Sequence, residues 1–136
     1  MRSRCRFKAT GDDTGGLFTL LEADEPPDFG PPMHIHQDCG EAFYVLQGEY
    51  NIFIRDEEFR CPSGSFIFIP QDTPHGFRVG NVPSKKLNLY LPAAMMGYFD
   101  ELSSAIAEGK ADDERLGQIA LRNGVEVIGS VPEGYL

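Results

Sequence analysis

Two of the chain's three histidines, His34 and His36, are separated by one isoleucine in "PPMHIHQDCGEAFYVLQG". In an extended strand, side chains at i and i+2 face the same side, so both imidazoles can reach one ion while Ile35 points away. Glu41 follows His36 at an odd interval that an unbroken strand would send to the opposite face. "QDCG" therefore has to turn or bulge the chain, and Gly40 is placed to permit it. From there Glu41, Phe43 and Val45 form the inward set. The third histidine, His75 in "PQDTPHGFRV", lies far downstream, and only a fold can bring it near. Neutral imidazoles with one carboxylate suit a divalent Fe, Mn, Co, Ni, Cu or Zn ion, whereas calcium and magnesium prefer oxygen shells. A His-x-His pair alone is a weak signal, and a lone histidine more often makes a local hydrogen bond. With no histidine left over, proton transfer falls to Glu41, to water on a bound ion, or to Tyr44, Tyr50, Tyr90 or Glu49 if one of them lines the interior.

The elements that must position these residues read as short strands broken by turns. "GGLFTLLEA" is a strand, and "DEPPDFGPP" is a loop because its prolines cannot feed a central ladder. "EAFYVLQGEYNIFIRDEEFRCPSG" reads as strand, Gly48 turn, strand, acidic turn near Asp56 to Glu58, and short strand; "SFIFIP", "HGFRV" and "KKLNLYL" are three more. Such a series predicts an antiparallel sandwich or small barrel. "SFIFIP" is apolar on both faces, so it is covered on both sides. Strand parity is taken to turn Phe43, Val45, Phe53, Phe66, Phe68 and Phe77 inward. Ile67 and Ile69 then face outward, which suggests a homodimer. After Pro92 the period changes: Phe99, Leu102 and Ile106, stopped by Gly109, and Leu116, Ile119 and Ala120, stopped by Asn123 and Gly124, predict two short helices within about residues 95–123. The tail "VEVIGSVPEGYL" reads as extended, with no partner evident.

Composition excludes several roles. Twelve Lys and Arg against 21 Asp and Glu give a formal charge of -9, which repels phosphate backbones and anionic lipids, so neither nucleic acid nor a membrane is expected as partner. Arg2, Arg4, Arg6 and Lys8 alternate with neutral residues as in a solvated edge strand. No apolar run approaches a membrane span and the N-terminus lacks a signal-like apolar region, making the cytoplasm the expected compartment. Cys5, Cys39 and Cys61 are odd in number and show no CxxC spacing, so reduced thiols are expected. Nothing in the composition divides residues 1–136, and one domain is expected, its barrel covering about residues 4–92.

"HIHQDCGEAFYVLQG" resembles the first motif of the cupin superfamily: His-x-His, a short spacer, Glu, then six residues to a glycine, with Gly48 in register. "GSFIFIPQDTPH" is similar to the second, running from Gly64 through Pro70 to His75, although Asp72 stands where a glycine is usual. The resemblance implies an all-β fold, an antiparallel double-stranded barrel or jelly roll, holding one divalent metal through His34, His36, Glu41 and His75. The plan as a whole, barrel then two helices, resembles small quercetinase-like cupins. That implies a metal-dependent dioxygenase acting on a small aromatic or enolic compound of the flavonol or catechol type, with Glu41 shifting between ligand and base. Phe43, Phe53, Phe66, Phe68 and Phe77 are the expected substrate wall, favouring a flat, partly apolar ligand. Two other classes stay open: a non-catalytic module that binds or senses a small molecule, and a metal-dependent isomerase or lyase.

Overall fold

The computed structural model describes residues 3–129. Over that span the chain runs β1 (Arg4–Ala9), α1 (Gly11–Thr14), β2 (Thr19–Glu25), β3 (Met33–His36), β4 (Gly40–Gln47), β5 (Glu49–Ile54), β6 (Glu57–Pro62), β7 (Phe66–Ile69), β8 (His75–Val79), β9 (Ser84–Leu91), α2 (Met96–Ala107), α3 (Asp113–Arg122) and β10 (Val125–Gly129). The strands form two five-stranded antiparallel sheets, ordered β1-β2-β9-β4-β7 and β10-β3-β8-β5-β6, which face each other as a jelly-roll barrel. Arg4, Arg6 and Lys8 lie on the edge strand β1, with Arg6 ion-paired to Glu22 and Asp24, while Arg2 lies outside the described residues.

The "QDCG" segment is neither a simple turn nor a bulge within one strand. His36 ends β3 in one sheet and Gly40 begins β4 in the other, so residues 37–39 form a corner between sheets. Three contacts hold that corner. The Gln37 N–H donates to the Gly124 carbonyl at 2.8 Å, the Asp72 N–H donates to the His36 carbonyl at 3.0 Å, and the Gln71 amide donates to the Gln37 carbonyl. Gly124 has φ 73°, and a Cβ there would stand 2.3 Å from Asp38 Oδ2, so a side chain would push the corner away. Asp72 also sits at positive φ, 62°, which accounts for a glycine being usual there and for aspartate being an acceptable substitute.

The tail has a definite destination as far as it is described. β10 pairs with β3, setting Val125 opposite His36 and Val127 opposite His34, so the histidine strand lies between β10 and β8. Residues 130–136, the remainder of the tail, lie outside the described residues. The two helices appear where the 3.6-residue period placed them. α3 is capped by Asp112, whose carboxylate accepts from the Arg115 N–H at 2.8 Å. α2 lays Phe99 against Phe7 of β1, with ring centroids 5.7 Å apart, and against Tyr90 of β9 at 6.4 Å. Among the described residues no helix is long and apolar enough to cross a membrane.

One assignment of inward residues is reversed. In β7, Phe66 and Phe68 are 63% and 51% exposed, whereas Ile69 is buried in the barrel core and Ile67 packs against it. The cause is cross-strand register: Ile69 lies opposite Glu41 and Ile67 opposite Phe43, and directly opposed residues share a face. Phe53 is also corrected. It is buried, but on the opposite face of β5 from the inward Tyr50 and Ile52, and it does not line the cavity. Removing the inward side chain should cost far more than removing the outward one. Ile69→Ala is expected to destabilise by about 2–5 kcal/mol and Phe66→Ala by less than about 1 kcal/mol in chemical denaturation; the reverse order would reject this parity.

Candidate metal centre

Four side chains from three strands converge. β3 supplies His34 and His36, β4 supplies Glu41, and β8 supplies His75, directly opposite His34 in register. One donor atom from each lies within 4.8 Å of the others, so a single ion is within reach of all four. The imidazole centroids are 4.4 Å apart for His34 and His75, 4.9 Å for His34 and His36, and 5.1 Å for His36 and His75. His36, Glu41 and His75 are buried and His34 is half-buried.

The hydrogen bonds fix which ring nitrogen faces inward. His75 Nδ1–H donates to the Thr73 carbonyl at 2.9 Å, and His34 Nδ1–H donates to the Pro32 carbonyl at 2.7 Å. A carbonyl can only accept, so Nδ1 carries the proton and Nε2 is left as the donor atom in both rings. His75 Nε2 stands 3.0 Å and His36 Nε2 3.6 Å from Glu41 Oε1. This donor set, imidazole nitrogens with the second nitrogen tied back and one buried carboxylate, fits a divalent transition ion. His36 differs in that its Nδ1 is buried without a hydrogen-bond partner.

Electrostatics follow from burial and crowding. Burial, then the neighbouring His75 and His36, lower the His34 pKa to about 4, so that ring is neutral at ordinary pH. Burial acts the same way on His75, but the Glu41 hydrogen bond and charge outweigh it and raise its pKa. For Glu41, burial favours the protonated form, yet His36 and His75 outweigh it and hold the carboxyl well below the usual carboxylate range. Tyr90 stands directly opposite Glu41 in register, and burial followed by the Glu41 charge pushes that phenol well above its ordinary value.

The cluster opens into a cavity of about 660 Å³. Phe43 and Phe77 line it as expected, while Phe53, Phe66 and Phe68 do not. The missing part of the wall comes from α2, whose Tyr98, Phe99, Leu102 and Ile106 face the cavity at helical spacing. The sequence displays that stripe, but its period alone cannot say whether it covers a core or a pocket. Glu25, Lys86, Asn88 and Tyr90 also line it, the last three at alternate positions of "KKLNLYL". Their signal was available: in this strand the polar row faces in, and Leu87 and Leu89 face out. Lys86 is 1% exposed, with Nζ 2.8 Å from Glu25 Oε1 and over the rings of Phe77, Phe43 and Tyr50 at 4.3, 4.9 and 5.4 Å.

The other proton-transfer candidates fall away from the centre. Tyr44 faces solvent, Glu49 pairs with Arg60, and Tyr50 donates to Glu25 at 2.8 Å within the core. Cys39 is buried, its thiol pushed up to about 12 chiefly by burial and then by Glu41, and its sulfur is not among the donor atoms that converge with the three histidines and Glu41.

Comparison with known proteins agrees with this geometry. A cupin-domain family model matches residues 21–89. The chain is 32% identical over 97 residues to quercetin 2,3-dioxygenase of Bacillus subtilis, an alignment covering 71% of this chain and 29% of that protein. The curated relatives it matches are spanned over only 26–56% of their own length. Among solved structures, the polyketide cyclase RemF from Streptomyces resistomycificus superposes with a TM-score of 0.58 at 27% identity, covering 66% of this chain and 65% of that one. A Thermotoga maritima protein predicted to be an oxalate decarboxylase superposes with a TM-score of 0.63 at 16% identity, covering 66% and 80%. With the barrel, the register of the two motifs and the family match in agreement, the chain belongs to the cupin family.

Proposed function

We propose that the protein is a metal-dependent dioxygenase acting on a small aromatic or enolic compound of the flavonol or catechol type. The observation that carries this reading is a three-histidine, one-carboxylate cluster at the wall of a cavity lined by Phe43, Phe77, Tyr98 and Phe99. Aromatic walls favour a planar, partly apolar ligand. The resemblance to a quercetin dioxygenase supports the same class. An ion of Fe, Mn, Ni, Co, Cu or Zn held by His34, His36, Glu41 and His75 would supply a Lewis acid toward the substrate oxygen and, where redox-active, electron transfer toward dioxygen.

The chain's own residues do the rest. The carbonyls of Pro32 and Thr73 orient the His34 and His75 rings. Glu41, held ionised by its imidazole neighbours, is placed to take the proton of an enol or phenol. The apolar side chains of α2 keep water from the ligand. Oxygen uptake with a panel of flavonols and catechols, after anaerobic reconstitution with each metal in turn, is the direct test. Uptake with at least one metal is expected, together with about one metal per chain and its loss in His36→Ala. Absence of uptake with every metal sinks the dioxygenase reading, and a ligand bound without uptake favours the non-catalytic binding module.

We also propose a homodimer, now through a different face from the one strand parity suggested. Ile67 and Ile69 point inward, and the outward residues are Phe66 and Phe68 on the edge strand β7, continuous with Tyr44, Leu87, Leu89 and Leu20 across β4, β9 and β2. Glu22, Asp24 and Lys85 border this patch with both signs of charge, which lets two copies meet about a two-fold axis. Light scattering should give twice the chain mass, and Phe66→Asp should give a monomer; a monomeric parent protein rejects the dimer.

A further inference from the structure

Among the described residues α2 is the only helix that lines the cavity, and its only hydrogen bonds to another helix or strand pass through one side chain. Glu101 accepts from Arg122 Nη2 at 2.7 Å and from Asn123 Nδ2 at 2.6 Å. The rest of its hold is side-chain packing, including Phe99 against Phe7 and Tyr90, while Leu102 and Ile106 face the cavity. The two C-terminal helices are of similar length, twelve and ten residues, but differ in how firmly the sequence specifies them. α3 has the Asp112 cap, acidic residues in its first turn and Arg122 in its last. α2 follows Met95, whose side chain caps nothing, carries Gly97 in its first turn, and has neither an acidic residue there nor a basic one in its last turn. So short a helix is marginal in water on its own, and α2 is held by what its apolar stripe covers.

The chain on either side of α2 is fixed. Before it, the Ala93 N–H donates to the Gly16 carbonyl at 3.1 Å and the Ala94 N–H to Thr19 Oγ1 at 3.2 Å. After it, α3 buries Ile119 and Ala120 and runs through Gly124 into β10, which pairs with β3. Between these fixed ends and the helix stand two residues at positive φ, Met95 at 76° and Gly109 at 70°. Hinges are built from a few such positions at the ends of an element, where a change in backbone angles turns the whole element. We propose that α2 is a hinged lid: it swings about Met95 and Gly109 to admit a ligand to the cavity, closes with Glu101 clasped by Arg122 and Asn123, and moves while α3 and the barrel stay in place. Its role as a lid rests on the ligand-binding reading of the cavity given above, whereas the motion itself does not.

Hydrogen exchange of the metal-loaded full chain, followed by mass spectrometry of its peptides, tests the motion without any ligand. The hydrogen-bonded amides of α2 are expected to exchange about tenfold faster than those of α3 and β9. Glu101→Ala keeps a good helix former in place and removes only the clasp, so α2 exchange should rise by roughly a further fivefold. Glu101→Gln, which keeps an acceptor for Asn123, should give a smaller rise, with α3, β9 and metal content unchanged in both variants. Saturating 3-hydroxyflavone, added anaerobically, should slow exchange in α2 and leave β9 as it was. An α2 that exchanges no faster than α3, a Glu101→Ala change that leaves α2 unaltered, or one that speeds α3 and β9 equally overturns the lid. So does a flavone that binds without slowing α2. If the flavone does not bind at all, the flavonol reading fails, and the ligand-free exchange still decides the motion.

Discussion

A carboxylate that is 3% exposed inside an apolar barrel is the constraint on which the rest of the molecule turns. Moving an isolated charge from water into such surroundings carries an effective penalty of several kcal/mol even after relaxation, so Glu41 is tolerable only in company. Its company is His36 and His75 at 3.6 and 3.0 Å, with Tyr90 directly opposite it on the neighbouring strand. Those partners come from both sheets: β3 and β8 from the facing one, and β9 from the sheet of β4, which carries Glu41 itself. The two layers are therefore joined at this end by matched polar groups, and elsewhere by Val45, Tyr50, Ile52, Ile69 and Val79 in ordinary apolar packing. The corner at residues 37–39 makes this possible by carrying the chain from one sheet to the other between His36 and Glu41, and β10 with Gly124 holds the corner in place.

A second buried charge repeats the logic deeper in the same cavity. Lys86 has Glu25 at 2.8 Å, and Tyr50 donates to the same oxygen. An apolar residue of similar shape could often replace such a pair at no loss of stability. Strand β9 is thus unusual in presenting polar groups inward and leucines outward, the pattern expected of a strand that lines a pocket.

How much of this could be read from the sequence depended on how far apart the deciding residues lie. The pairing of His34 with His36 is set by the two-residue period of a strand, and both helices by their 3.6-residue period, so these were legible locally. The membership of His75 in the cluster needed the motif resemblance, because only the long-range pairing of β3 with β8 creates the contact. "SFIFIP" was not legible: with phenylalanine on one face and isoleucine on the other, alternation carries no sign, and register with Glu41 and Phe43 decides. "KKLNLYL" misleads for the opposite reason, since its leucines look like a core face until β4 and β2 are laid beside it. The cavity wall from α2 and the docking of β10 on β3 are tertiary facts with no local signature.

The central claim is that four side chains from β3, β4 and β8 form one metal centre. A crystal structure of the metal-loaded protein with anomalous scattering measured at the metal's absorption edge tests it most directly. One strong anomalous peak should lie within about 2.0–2.2 Å of Nε2 of His34, His36 and His75 and of a Glu41 carboxylate oxygen. A peak elsewhere, or a bound ion that leaves Glu41 or any of the three histidines out, would contradict the account.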